Sequence, residues 1–108
     1  IEVQSTFLAT YLYRIAQECV RSAAESAKAS RIVITLSRRN GQISLSISDN
    51  APRRGSNHVF PGKMVHEMIQ HRVNLIRGIL SIHRKSSGGV KVTCQVDEQK
   101  GAYDENHE

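Results

Sequence analysis

IVITLSRRNGQISLSISD, residues 32–49, is the stretch that decides the fold. Apolar and polar residues alternate along it on both sides of Asn40-Gly41, and this period of two is typical of β-strands. An Asn-Gly pair tolerates the positive φ angles of a tight two-residue turn. The stretch therefore predicts an antiparallel hairpin with one apolar face, and the serines on its other face predict that this side meets water.

Helical periodicity precedes this hairpin and returns after it. Apolar residues spaced by three or four positions predict a first helix over residues 5–29, capped by Ser5 or Thr6. The same spacing predicts a second helix over residues 63–77, capped at its end by Gly78, and a second hairpin follows. This order of elements predicts an α+β two-layer sandwich, in which a mixed or antiparallel sheet carries helices on one face.

The composition fits one domain. A chain of 108 residues with 39% hydrophobic residues can close a single core, and we assign residues 1–97 to that domain and residues 98–108 to an acidic, mobile tail. The start at Ile1 rather than Met predicts excision from a longer protein. No apolar run approaches the ~18 residues of a membrane span. Cys19 and Cys94 lack the spacing of a disulfide scaffold or zinc site, so we expect inert core thiols in a reducing cytosol.

The net charge of +5 is concentrated in the folded part, because the tail is acidic. A basic surface can meet nucleic acid, an acidic protein or the phosphates of a nucleotide, or it can simply keep a domain in solution. Aromatic residues make up only 5% of the chain and no recognition helix is visible. Nucleic-acid binding is therefore a minor hypothesis.

Several stretches, taken in order, carry a resemblance to a known family. They are the helical run 12–18, the small residues up to Ser30, the hairpin ending at Asp49-Asn50, the helix containing Arg72-Val73 with Gly78 after it, and the hairpin segment 87–92. Through them, residues 8–96 resemble the ATP-binding domain of two-component sensor histidine kinases. The resemblance is to the branch that partners helix-turn-helix response regulators and includes the nitrate/nitrite sensors. It implies a histidine-kinase-like ATPase fold.

The same resemblance implies a function. Domains of this family bind Mg-ATP and pass the γ-phosphoryl group to a histidine on separate dimerisation helices. No histidine in that context is visible here, so we expect it elsewhere in the parent chain. The implied partners are the dimerisation and phosphoacceptor helices of the parent sensor and a response regulator. The implied location is cytoplasmic, with any membrane contact made by the parent chain.

The first family motif falls on the first helix. The family places a Glu there as a base and, four residues later, an Asn that holds Mg²⁺; this chain has Glu18 and Ser22 at those positions. A serine hydroxyl is a shorter and weaker Mg²⁺ ligand than an amide carbonyl. The family's Lys-His pair is replaced by Glu25-Ser26, which would repel phosphate. Glu18 also has a simpler interpretation, as a solvent-facing carboxylate paired with Arg21 or Arg14.

The second motif follows the first hairpin. The family has Asp-x-Gly-x-Gly, whose Asp accepts a hydrogen bond from the adenine amino group. By resemblance Asp49 takes this role, while Ala51 replaces the first glycine, Pro52 follows it, and Gly55 is the next glycine along the loop. Both replacements stiffen a backbone that the family folds against the purine ring. The simpler interpretation of Asp49 is a turn former at a strand end.

The third motif opens the second helix, where the family's glycines expose backbone N–H groups to phosphate. This chain has Met64-Val65-His66-Glu67-Met68 in that place, and only Gly62 lies just before it. Arg53, Arg54 and Lys63 keep the region cationic, so we predict that they contact phosphate, although charged loops are often simply solvated.

Three altered motifs predict that ATP and Mg²⁺ binding is weakened. The alternative is a non-catalytic pseudokinase domain, which keeps the sandwich and uses it to bind a partner protein in signalling.

Overall fold

The computed structural model describes residues 1–25, 29–50, 63–86 and 88–101. Its elements, in chain order, are α1 (Thr6–Glu25), β1 (Ile32–Arg39), β2 (Gln42–Asp49), α2 (Lys63–Leu75), β3 (Ile79–Arg84) and β4 (Val90–Asp97). The strands form one sheet in the order β1-β2-β4-β3, and every pairing in it is antiparallel. The predicted α+β two-layer sandwich is confirmed. Neither helix is long and apolar enough to cross a membrane.

The first hairpin forms around the predicted turn. Asn40 has φ 53° and Gly41 has φ 77°, the left-handed conformation that a two-residue turn between twisted strands requires. Pairing runs from Arg39 opposite Gln42 out to Ile32 opposite Asp49. In this register, side chains at even positions of β1 and odd positions of β2 face the helices, and the serines of β2 face the open side of the sheet.

The core lies between this sheet and the two helices. The buried stripe of α1 consists of Leu8, Leu12, Ile15, Cys19 and Ala23, which meet alternate residues of β2 and β4. Ser5 caps α1, because its Oγ accepts a hydrogen bond from the Leu8 backbone N–H at 3.1 Å. Both cysteines are free and buried, as the sequence predicted. Burial raises the pKa of the Cys94 thiol to about 11.

The end of α2 differs from the prediction. Gly78 N–H donates to the Val73 carbonyl at 2.9 Å and Arg77 N–H donates to the Asn74 carbonyl at 3.0 Å, which is the Schellman pattern. The residue with positive φ is Arg77, at 57°, rather than Gly78. Gly78 is needed for a different reason, because a Cβ there would lie 3.0 Å from the carbonyl oxygen of Gln95.

The ordered chain continues past the expected start of the tail. Residues 98–101 form a helical turn in which Gly101 is buried. Two groups attach this turn to the first hairpin: Glu98 N–H donates to the Gly41 carbonyl at 2.8 Å, and the Arg38 guanidinium binds the Glu98 carboxylate at 2.8 Å. Residues 102–108 of the expected tail lie outside the described residues.

Candidate functional site

Asp49 is the last residue of β2 and the starting point of the candidate site. Its side chain follows the alternation of Ile43, Leu45 and Ile47, so it faces the helices and is only 3% exposed. Its negative charge contributes to the pKa of a cysteine on the neighbouring helix. Burial raises the pKa of the Cys19 thiol on α1 to about 12, with smaller contributions in the same direction from Glu18, Cys94 and Asp49. The carboxylate therefore lies between sheet and helix layers and not on the outside.

Two further predicted residues lie on the same stretch of α1. Glu18 and Ser22 are one helical turn apart and each is 6% exposed. Glu18 and Ser22 lie on either side of Cys19 in the sequence, one position before it and three after it. The charge of Asp49 contributes to the pKa of the Cys19 thiol, so Asp49 lies near this part of α1. The fold thus brings Glu18, Ser22 and Asp49 into one region.

The negative charge of Glu18 is paired with two arginines. Its Oε2 forms an ion pair with Arg21, and its Oε1 lies 3.8 Å from Nη1 of Arg72 on α2. The same Arg72 nitrogen donates to the Arg14 carbonyl at 3.4 Å, so this side chain joins the two helices. The simpler interpretation of the sequence offered Arg21 as a partner but placed Glu18 in solvent, whereas the carboxylate is buried. Arg72 was missed, since only the packing of α2 on α1 brings it there.

Asn50 fixes the position of Asp49 from one side. Its Oδ1 accepts hydrogen bonds from the backbone N–H groups of Ser30 at 3.1 Å and Arg31 at 2.9 Å, and its Nδ2 donates to Ser30 Oγ at 3.0 Å. These bonds tie the end of β2 to the segment that enters β1. The sequence offered Asn50 only as part of the resemblance, with no partner.

The β3–β4 turn fixes Asp49 from the other side. Lys85 Nζ donates to Ser48 Oγ and lies 3.4 Å from the Asp49 carbonyl oxygen. Gly89 approaches the same carbonyl so closely that a Cβ there would lie 2.1 Å from it. The Gly88-Gly89 pair was the available sequence signal for this contact, whereas nothing in the sequence joined Lys85 to residues more than thirty positions earlier.

Other predicted site residues fall largely outside the described structure. Ala51, Arg53, Arg54 and Gly55 lie outside the described residues, and only the backbone of Lys63, the first residue of α2, is described. Their proposed contacts with phosphate stay predictions.

The side chains of this region fit a purine better than a metal ion. A buried carboxylate with a fixed backbone is suited to accept hydrogen bonds from an amino group. For Mg²⁺ the region offers the Ser22 hydroxyl and a Glu18 carboxylate that two arginines already neutralise, which is a poor set for a cation that prefers several free oxygen ligands. Across the described ranges, no group of three His, Cys, Asp or Glu side chains could hold a metal ion.

Comparisons with known proteins point to one class of domain. No family model matches the chain. In structure it is similar to the histidine kinase domain of the Erythrobacter litoralis EL346 blue-light activated histidine kinase, with a TM-score of 0.70 and 17% identity over 87% of this chain and 50% of that one. It is also similar to the Acinetobacter baumannii histidine kinase AdeS, with a TM-score of 0.56 and 12% identity over 79% of this chain and 46% of the other. The fold is that of a histidine kinase ATPase domain.

A sequence comparison narrows the resemblance. Over 84 residues, 78% of this chain, it is 27% identical to the nitrate/nitrite sensor protein NarX of Escherichia coli K12, and to the NarX proteins of Escherichia coli O157:H7 and Shigella flexneri. The match spans 14% of the length of these relatives. The predicted resemblance to sensor histidine kinases of the nitrate/nitrite type is confirmed.

Proposed function

We propose that this chain is the nucleotide-binding domain of a sensor histidine kinase and that Asp49 recognises adenine. The observation that carries the proposal is the burial of the Asp49 carboxylate between β2 and α1, at 3% exposure. A carboxylate has two oxygens that can each accept more than one hydrogen bond, and the adenine amino group is a donor of the kind that it accepts. The parent sensor would supply the phosphoacceptor helices and meet a response regulator, and the domain would work in the cytoplasm.

The residues around Asp49 would act by holding it still. Asn50, Lys85 and Gly89 fix the backbone on both sides of the carboxylate, so that little reorganisation is needed when a purine enters. ATP, when bound, would supply the γ-phosphoryl group. In this chemistry the protein contributes mainly positioning and charge neutralisation.

Charge neutralisation is the weak part of the site. The Glu18 carboxylate is already engaged by Arg21 and Arg72, and Ser22 alone is a poor ligand for Mg²⁺. We therefore propose that ATP binds weakly, with little help from Mg²⁺, and that phosphoryl transfer is slow.

The second candidate function is a pseudokinase domain that binds a partner protein. The contact that favours it is the Arg21–Glu18–Arg72 cluster. In this cluster Glu18, which stands where the family has its base, helps to join α1 to α2. On this hypothesis the cluster is structural and the domain has no need of nucleotide.

Calorimetric titration separates the two candidates. ATP and GTP would be titrated into the chain with and without Mg²⁺, because guanine carries a carbonyl oxygen where adenine carries the amino group. Asp49→Asn removes the charge with little change of shape. Asp97→Asn is its matched control, because Asp97 also ends a strand but faces the open side of the sheet.

The nucleotide hypothesis expects ATP to bind, GTP not to bind, and Asp49→Asn alone to abolish the signal. An enhancement by Mg²⁺ would restore the case for an active kinase. Absence of any heat at millimolar ATP, with all three proteins folded by circular dichroism, would reject nucleotide binding and leave the pseudokinase.

A further inference from the structure

The open face of the sheet, on the side away from α1 and α2, is almost entirely polar. The strand register places the odd-numbered residues of β1, β3 and β4 and the even-numbered residues of β2 on this face. Its centre is a row of hydroxyl groups that crosses all four strands, formed by Thr35, Ser46, Thr93 and Ser81. These four residues are exposed or half-buried, so the row is accessible to a partner.

Positive charge gathers at one end of this face, around Ser48. Lys85 Nζ donates to Ser48 Oγ, and Lys91 is the direct cross-strand neighbour of Ser48 on β4. Arg31 shares the parity of β1 residues on this face, and its carbonyl accepts a hydrogen bond from the Asn50 N–H at 3.3 Å. Neighbouring strands lie about 4.8 Å apart, so three cations are held within a few strand spacings of one hydroxyl.

These cations are not balanced by carboxylates. In the described part of the chain, Arg31, Lys85 and Lys91 form no ion pair. The contacts of Lys85 are to neutral oxygens, the Ser48 hydroxyl and the Asp49 carbonyl. On β4 the next carboxylate of this face is that of Asp97, six residues from Lys91, or about 20 Å along the strand. The cations therefore repel one another, and an anion above them is attracted to all three.

The other side chains of the face indicate what kind of anion fits. The centre of a protein interface is usually apolar or aromatic and is poor in Ser and Lys, whereas the centre here is the hydroxyl row. A membrane-surface site needs apolar side chains that enter the lipid together, but Val33 and Ile79, the apolar residues of this face, lie on opposite edge strands. Contacts to nucleic-acid phosphates come from Arg, Lys, Ser, Thr, Asn and Gln, which is the set present on this face.

We propose that the open face of the sheet binds duplex nucleic acid through its phosphates, without reading sequence. Arg31, Lys85 and Lys91 pair with phosphates at one end, the hydroxyl row donates to phosphate oxygens at the centre, and Arg39 meets a phosphate at the other end. From residue 31 to residue 39 the strand covers about 26 Å, enough to cross a major groove about 12 Å wide.

The two features that made nucleic-acid binding a minor hypothesis do not oppose this mode. A recognition helix reads base edges, and aromatic residues stack on unpaired bases, but phosphate contacts require neither. A duplex carries one negative charge per about 1.7 Å of its axis, so several cations can be neutralised at once. The inference does not depend on nucleotide binding, since the Asp49 carboxylate faces the helices on the other side of the sheet.

The test measures the anisotropy of a fluorescent random-sequence DNA duplex of about two helical turns, titrated with the full chain at several salt concentrations. The variant Arg31→Gln/Lys91→Gln removes two exposed cations from the face. Arg14→Gln/Lys100→Gln removes two exposed cations elsewhere and is the matched control.

A second pair of variants adds a charge without changing side-chain shape. Gln95→Glu places a carboxylate on the open face, and Gln17→Glu places one on the exposed side of α1. Circular dichroism checks that all variants are folded. Poly-glutamate of similar charge, titrated at the same salt concentrations, tests whether an acidic polypeptide is the better partner.

Four cations on the face predict a slope of about −3 to −4 for log K against log salt concentration. The Arg31/Lys91 variant should bind about tenfold more weakly at low salt and lose about two units of that slope, whereas the Arg14/Lys100 variant should keep the slope. Gln95→Glu should weaken binding several-fold more than Gln17→Glu does. Duplexes of different sequence should bind equally.

Three results would overturn the proposal. The first is failure of the folded chain to bind the duplex in about 50 mM salt, where phosphate contacts are strong. The second is an equal loss of affinity in the face variants and in their controls, which would place the contact elsewhere. The third is tighter binding of poly-glutamate than of the duplex, which would assign the face to an acidic protein.

Discussion

The two ends of the sheet each carry a strand-ending aspartate, yet they are built for different purposes. At one end, which we call the turn end (residues 40–41 and 97–101), Asp97 Oδ1 accepts hydrogen bonds from the N–H groups of Gln99 at 3.0 Å and Lys100 at 3.1 Å. At the other, the site end (residues 30–31, 48–50, 85–86 and 88–89), the Asp49 carboxylate faces the core.

Strand parity accounts for the difference. Asp49 shares the parity of Ile47 and points to the helices, whereas Asp97 has the opposite parity to Val96 and points to the open face. One residue type thus serves as a partly exposed cap at the turn end and is a buried carboxylate at the site end.

The largest expected effect is a loss of stability caused by backbone crowding at the site end. Gly89→Ala puts a Cβ 2.1 Å from the carbonyl oxygen of Asp49, and backbone has little room to move there. Gly101→Ala meets mainly the side-chain tips of Val96 and Leu8, at 2.8 and 3.0 Å, which can shift. We expect Gly89→Ala to lower the free energy of unfolding by about 3 kcal/mol or more and Gly101→Ala by about 1–2 kcal/mol. Urea denaturation measures both, and equal losses would contradict the comparison.

The second effect is a loss of stability at alkaline pH. The pKa of Cys19 rises from 9.0 to about 12 on folding and that of Cys94 from 9.0 to about 11. Above pH 9 the unfolded chain therefore releases thiol protons that the folded chain retains, so stability is full below pH 9 and falls as pH rises toward the folded values. Each thiol should contribute a slope of about 1 kcal/mol per pH unit between pH 9 and pH 11.

Urea denaturation of Cys19→Ala and Cys94→Ala across that pH range isolates the two thiols. Each variant should flatten the slope. Asp49→Asn should change the contribution of Cys19 but not that of Cys94, because only Cys19 is affected by the Asp49 charge. A slope that neither cysteine variant alters would disprove the assignment.

The third effect belongs to the site end. Lys85→Met keeps the length of the side chain but removes the donor to Ser48 Oγ and the Asp49 carbonyl. We expect a loss of about 1 kcal/mol in the free energy of unfolding. If the proposed function holds, ATP affinity should also fall several-fold, since Asp49 is less well fixed. Lys91→Met, an exposed lysine on β4, is the control and should change neither quantity.

The smallest effect belongs to the turn end. Arg38→Met removes the ion pair with Glu98 and the donor to the Glu2 carbonyl. Because this pair is solvent-accessible, we expect a slight fall in the urea midpoint that disappears in 1 M NaCl, where charges are screened within about 3 Å. Nucleotide titrations should be unchanged, and an altered ATP affinity would show that the two ends are coupled.

Local patterns predicted most of the fold. The alternation around Asn40-Gly41 and the three-to-four spacing of α1 each depend on near neighbours in sequence, and the structure confirms both. The burial of Asp49 follows from its parity with Ile47, although the sequence alone left a turn former as an alternative. Arg77 was mispredicted as an ordinary helix residue because a glycine next to it offered the usual signal for the helix end.

The contacts that the sequence could not predict join distant segments. Arg72 reaches Glu18 only because α2 packs on α1, and Lys85 reaches Ser48 only because β3, β4 and β2 share a sheet. The helical turn after Asp97 was missed because residues 98–101 show no apolar periodicity, and its attachment to Arg38 depends on the sheet register. The roles of Arg53, Arg54 and Lys63 stay predictions.

The two cysteines give this chain its own pair of reporters for opening motions. Cys19 lies in the helix layer and Cys94 in the sheet, and neither is exposed at all. A thiol reagent can modify them only in molecules that have opened, so the labelling rate measures how often each layer becomes accessible. Equal rates would mean that helices and sheet separate in one cooperative event, whereas faster labelling of Cys19 would identify the departure of α1 as the first step of unfolding.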